Sequence, residues 1–293
     1  MIKEIYRKIT KHKWELGFVE NSLSEVLQGE PLRVRWVKHH FTDRWFADPF
    51  ILSVSDTDIV LLVEEFSYQL KRGRIAKLVI DRETCELKRM KIVLDLPTHL
   101  SFPAIYRDHG KVYIYPENHD SGELKLYLYD DATETCQFDR VLCQEPLTDA
   151  IYTNLFGEKI IFSTKIPTQN GGELGIYTYN DATSLYELKD GCHFKENIAR
   201  MAGDFFVCHN DIYRPAQESN VSYGHAVSIQ KVSRRDSHLS FEECVRLYSP
   251  HPDLDLGMHT FNVFGDMIVI DAKGFIRPRM ISRFLYKVKN LIR

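Results

Sequence analysis

The sequence lacks the short motifs by which many enzyme classes announce themselves. Its six cysteines (Cys85, Cys136, Cys143, Cys192, Cys208 and Cys244) are scattered and never form a C-x-x-C pair, so neither a zinc ribbon nor a thioredoxin-type redox site is indicated. Twelve histidines include no H-E-x-x-H and no close ligand pair beyond the adjacent His39 and His40, and no residues are assigned to a metal. No Walker loop and no G-x-G-x-x-G is present, and no bound cofactor is expected. Apolar runs all fall short of the roughly 18–20 residues that span a bilayer, and the first residues, MIKEIYRKITKHKW, lack the unbroken apolar stretch of a secretory signal, so a cytoplasmic location is the expectation. A composition of 27% charged and 44% hydrophobic residues excludes collagen-like and disordered classes.

Charge is unevenly placed. Lys3, Arg7, Lys8, Lys11 and Lys13 face a single Glu4 at one end, and Ala272 to Arg293 carries seven basic residues and no acid, so the body between them is strongly acidic. Such a distribution excludes a nucleic-acid role for the body and directs any anionic surface to the ends. Ile2, Ile5 and Ile9, and at the other end Ile281, Phe284, Leu285, Val288 and Ile292, recur at helical spacing among these basic residues. Basic amphipathic helices are therefore expected at both termini, over residues 1–40 together with a lead-in strand and over 276–293, where they would dock at the inner membrane face.

Between them, residues 41–275 alternate β-branched and aromatic runs with Gly, Asn and Asp turns. One pattern returns five times: a turn, an apolar strand and a polar exit, anchored on Ile59, Val112, Ile160, Ile212 and Ile268, 48 to 56 residues apart. A single four-stranded unit cannot bury both of its faces, so this period predicts an all-β, five-bladed β-propeller.

Residues in one register of such blades converge on a central channel. Eleven positions before the anchors stand Asp48, Ser101, Asp149, Met201 and Gly257; five positions after stand Glu64, Glu117, Lys165, Gln217 and Lys273. Asp48 and Asp149 are candidate catalytic carboxylates, with Glu117 as a candidate acid, because proton transfer at a sugar needs paired carboxyl groups. Glu64, Glu65, Gln217 and His259 are candidate hydroxyl ligands, and Trp45, Tyr68, Tyr115 and Tyr223 candidate platforms for the apolar face of a sugar. Arg200 and Arg214 suit a phosphate or carboxylate, as in a nucleotide sugar, a lipid phosphate or an acidic sugar; an internal salt bridge to Asp48, Asp149 or Glu117 fits them equally.

The ordered strings WFADPF, VEEFSY, HLSFPAIY, YPEN, RMAGD, RPAQ, YGHAV and MHTFNVFGDMIVIDA resemble the N-terminal domain of plant glucosamine inositolphosphorylceramide transferase and its bacterial relatives, from about Trp14 to Ala272. That resemblance implies surface-polysaccharide or glycolipid biosynthesis, a sugar, nucleotide-sugar or glycolipid ligand and a glycosyltransferase partner. More distantly, the repeat is similar to the five-bladed propellers of arabinanase, levansucrase and invertase type. That similarity implies an early Asp (Asp48), a second Asp two blades on (Asp149) and a Glu acid in the next blade, where this chain has Met201 beside Arg200. The expected function is a sugar- or sugar-phosphate-binding propeller, with a glycosidase and a protein-interaction propeller as the alternatives.

Overall fold

The computed structural model describes residues 11–235 and 238–276. Among the described residues, twenty strands form five antiparallel four-stranded sheets. Blade one is Arg44–Val54, Asp58–Ser67, Arg72–Asp81 and Leu87–Leu94; blade two is Ser101–Asp108, Lys111–Glu117, Leu124–Asp130 and Thr135–Cys143. Blade three is Leu147–Leu155, Glu158–Lys165, Glu173–Asn180 and Leu185–His193; blade four is Phe206–Cys208, Asp211–Glu218, Ala226–Arg235 and His238–Leu247. All five repeat anchors lie on second strands, so the expected five-bladed propeller is the observed one. Second strands read as unbroken apolar runs because neighbouring blades cover both faces: Leu61, Leu62 and Val63 are all wholly buried, as are Val269 and Ile270.

Blade five is built from both ends of the chain. Phe261–Phe264 and Met267–Phe275 are followed in the sheet by His12–Val19 and Val34–Trp36. His12 pairs with Phe275 and the register continues to Val19 opposite Ile268. Residues 12–36 thus belong to the propeller itself and close its ring.

This corrects the expectation of basic amphipathic terminal helices. The described ends are paired strands, and the only α-helix among the described residues is the five-residue Leu23–Leu27, between two strands of blade five. Residues 1–10 and 277–293, on which most of the two expected helices fall, lie outside the described residues. No helix among the described residues is long and apolar enough to cross a membrane.

Candidate functional site

Each of the first three inner strands carries a β-bulge at the same level. Pairing steps from Ala47 with Glu64 to Phe50 with Leu62, from Ser101 with Glu117 to Ala104 with Tyr115, and from Thr148 with Thr164 to Ile151 with Phe162. The extra residue is held with positive φ: Asp48 at 52°, Phe102 at 44° and Asp149 at 46°. Non-glycine residues avoid this region, which costs of order 1–3 kcal/mol, so the surrounding network must impose it. A bulge re-aims its side chain, and here Asp48 and Asp149 reach atoms of neighbouring blades.

The pairing also shifts two register positions. Phe102, not Ser101, is the counterpart of Asp48, and Thr164, not Lys165, is the counterpart of Glu117. Lys165 instead bonds to Glu145 at the rim.

Buried carboxylates stitch the blades together around the axis. Asp271 Oδ2 of blade five accepts the Asp48 N–H of blade one at 3.0 Å, and Asp48 Oδ2 accepts the Phe102 N–H of blade two at 3.0 Å. Glu117 Oε2 of blade two accepts the Asp149 N–H of blade three at 3.0 Å. Asp149 Oδ2 accepts Arg200 Nε at 2.6 Å and Gln217 Nε2 at 2.5 Å, both from the blade-four segment. Asn262 closes the circuit, accepting the Asp204 N–H and donating to the Pro49 carbonyl, each at 2.9 Å.

The charges in this well divide sharply. Arg200 bonds Glu117 Oε2 at 2.9 Å as well as Asp149, so one guanidinium serves two carboxylates. Burial alone would raise Glu117, but the Arg200 charge and the His119 ring 2.9 Å away outweigh it and hold Glu117 at about 2. Asp149 takes the opposite course: its burial, with the Glu117 charge beside it, exceeds the pull of Arg200 and raises it well above the usual carboxylate range. Glu64 is likewise pushed well up, by burial and then by the charges of Asp48, Glu117 and Asp149. Asp48 rises to about 6, chiefly by burial, with His259 opposing. Burial disfavours a charged His259, yet Asp271 at 2.7 Å and Asp48 at 3.5 Å prevail and raise it.

Asp48, His259 and Asp271 bring three ligand atoms within 4.8 Å of one another. Asp271 already accepts three backbone N–H groups and contacts the imidazole, so this trio is an ion-pair network and not a cage for a cation.

Aromatic rings pack on the His259 imidazole. Trp14 stacks on His259 with centroids 3.8 Å apart, and Tyr223 meets the same imidazole edge-on at 5.4 Å. Gly224 permits this approach: it has φ +63°, and a Cβ there would lie 2.7 Å from that of His259.

Of the residues singled out from sequence, Asp48, Glu64, Glu117, Asp149, Arg200, Gln217, Tyr223 and His259 gather here. Glu65 does not: strand alternation turns it away, to ion pairs with Arg44 at 3.0 Å and Arg74 at 2.9 Å. Arg214 is also elsewhere, wholly buried in the seam between blades three and four, where it bonds Gln230 and the Ala199 carbonyl and lies 5.3 Å from the Phe194 and Phe241 rings. Trp45 stacks on Phe66, Tyr68 lies under Lys11, and Tyr115 is core, its hydroxyl accepting the Tyr152 N–H. Asp271 and Trp14 are additions that sequence reasoning missed. Asp271 was within reach, since a strand's period of two puts it on the face of Lys273.

Residues 34–249 match the family described as "Glucosamine inositolphosphorylceramide transferase 1, N-terminal". The curated protein of that name from Oryza sativa subsp. japonica is 26% identical over 203 residues, covering 66% of this chain and 27% of the relative. The Arabidopsis thaliana protein is 25% identical over 200 residues, covering 64% and 25%. The chain thus spans about a quarter of the length of these relatives. Among solved structures, it is similar to a GH43 β-xylosidase/α-arabinofuranosidase from a compost microbial metagenome, with TM-score 0.53 and 9% identity over 82% of this chain and 94% of that one. A GH43_1 enzyme from Xanthomonas citri gives TM-score 0.51 and 10% identity over 83% and 90%. These likenesses show a shared five-bladed fold. By its sequence match over most of its length, the chain belongs to the glucosamine inositolphosphorylceramide transferase N-terminal family.

Proposed function

We propose that the central well binds a sugar and that the chain serves carbohydrate metabolism through it. One observation carries this reading: Gln217 Oε1 is a buried acceptor without a hydrogen-bond donor among the described residues, on the side chain whose amide nitrogen bonds Asp149, and Glu64 Oε1 has only the His99 imidazole at 3.3 Å, while the Trp14 and Tyr223 rings pack on His259 of the same well. A sugar offers what both need, hydroxyl donors at its edge and apolar C–H faces. A cavity of about 660 Å³ in the seam between blades three and four, lined by Ile160, Phe194 and Phe241 among others, lacks such a convergent network. The curated relatives are named as transferases of glucosamine and inositolphosphorylceramide; from that name we carry over a sugar-type ligand and a glycolipid setting, and not the transferase activity. Saturation-transfer NMR against neutral and anionic sugars tests the reading. Transfer to at least one sugar, lost in Gln217→Ala, supports it, and no transfer to any sugar overturns it.

A second reading, glycosidic-bond cleavage, is favoured by the divided protonation of the well, since acid and base catalysis needs carboxyl groups whose environments push them apart. Glu117, held low by Arg200, is unsuited as the acid; Glu64, pushed well up by burial, fits that task, and Asp48, at about 6, fits a base. Turnover of aryl xylosides or arabinosides that disappears in both Asp48→Asn and Glu64→Gln would establish this reading, and its absence leaves binding as the function.

A further inference from the structure

The cations of the well are not equally engaged. Arg200 bonds Glu117, Asp149 and the Asn170 side chain, and His259 lies against Asp271 and Asp48. Lys273 differs from both. Its backbone is fixed by pairing with Trp14 and with Gly257, while its ammonium lies 5.3 Å from the Trp14 ring centroid and 5.8 Å from that of Tyr223. Among the described residues no carboxylate is bonded to it. Burial lowers its pKa to about 8, and Asp271, on the same strand face, opposes this only in part.

Two ring faces attract a cation but offer it no hydrogen-bond acceptor. A partly desolvated ammonium is therefore left with three N–H donors beside the platforms of the well. Tyr223, which is 37% exposed, also has its ring 5.3 Å from the Arg200 guanidinium, so two cations flank this exposed ring. An anionic oxygen is the partner that this arrangement lacks.

Resting on the sugar-binding reading, we propose that Lys273 receives an anionic substituent of the bound sugar, so that the ligand is a sugar phosphate or a uronic acid and not a neutral sugar. The anionic oxygen is the shared chemistry of these two sources. Isothermal titration with glucose, glucose 1-phosphate and glucuronate, each against wild type, Lys273→Met and Lys273→Arg, separates them. The expected result is an affinity for at least one anionic sugar about tenfold above that for glucose. Lys273→Met should abolish this preference while leaving glucose binding within about twofold, and Lys273→Arg should retain it. The anion that binds more tightly identifies the source. Equal affinity for all three sugars, or a preference that survives Lys273→Met, overturns the proposal. If none of the three binds, the sugar reading itself is in question and titration with inorganic phosphate decides the anion site: binding lost in Lys273→Met sustains it, and no phosphate binding to wild type refutes it.

Discussion

The backbone N–H of Asp149 is held at 3.0 Å by Glu117 Oε2, across the seam between blades two and three. The same oxygen also accepts Arg200 Nη2 at 2.9 Å, so this carboxylate, a candidate acid by sequence, fixes a strained residue and pairs with a buried cation. Of its two tasks, pairing with Arg200 requires the ionised form, whereas accepting the Asp149 N–H needs only the oxygen.

Glu117→Gln should therefore destabilise the fold substantially. The amide can still accept from Asp149, but Arg200 loses the charge of Glu117, one of the two buried carboxyl groups it bonds, a class of change that costs about 3 kcal/mol or more. Urea denaturation reads this directly, and a change under about 1 kcal/mol would show that Asp149 alone satisfies Arg200.

Acid should act through the same group. Folding lowers Glu117 from 4.5 to about 2 and lowers Asp271 as well, so between these pH values the unfolded chain binds more protons. Stability from these carboxylates is thus fully present above about pH 4.5 and is lost as pH falls towards 2. A urea midpoint that declines across this window in wild type, and more shallowly in Glu117→Gln, is the expected outcome; parallel curves would assign the acid limb to other groups.

Local pattern made the blades legible and non-local pairing hid their closure. Ile59, Val112, Ile160, Ile212 and Ile268 announce second strands because apolar runs flanked by turns are a property of contiguous residues. The match of His12–Val19 to Met267–Phe275 joins segments about 250 residues apart, and nothing local to either end signals it. Ile2, Ile5 and Ile9, the apolar residues at helical spacing near the N-terminus, lie outside the described residues, and the lead-in strand expected after them is His12–Val19. In the well, Asp48 and Asp149 were found by counting, whereas Ser101 and Lys165 fell one residue from Phe102 and Thr164, because spacing between an inner strand and its anchor differs from blade to blade. Glu64 and Glu65 show the limit of composition: adjacent and identical, they face opposite sides of one strand.

Arg214 separates stability from binding. Its guanidinium, lowered to about 9 by burial, lies in the seam with Gln230, the Ile198 and Ala199 carbonyls and Met201 Sδ. Arg214→Met removes a buried charge but leaves these acceptors unpaired, so a loss of about 1–3 kcal/mol is expected in denaturant titration. Sugar affinity, measured by saturation-transfer titration at a temperature where the variant is folded, should be unchanged. A large fall in affinity would bring Arg214 back to the ligand.

Asp48 is expected to behave in the opposite sense from Glu117. Burial, with the Asp271 and Glu117 charges adding to it, raises Asp48 from 3.8 to about 6 although His259 opposes the shift. Between these pH values the folded chain holds the proton that the unfolded chain releases, so this group's contribution is present below about pH 4 and is lost as pH rises through 6. Asparagine cannot ionise, and its carbonyl can still accept the Phe102 N–H that Asp48 Oδ2 accepts at 3.0 Å. Asp48→Asn should therefore be at least as stable as wild type at pH 7, with a flatter stability profile between pH 4 and 6, while its sugar affinity falls. Such a gain in stability at the expense of binding is the mark of a carboxylate kept for a ligand. A loss of more than about 1 kcal/mol at pH 7 would instead show that the charge of Asp48 is needed by His259, and would make it a structural partner of that imidazole.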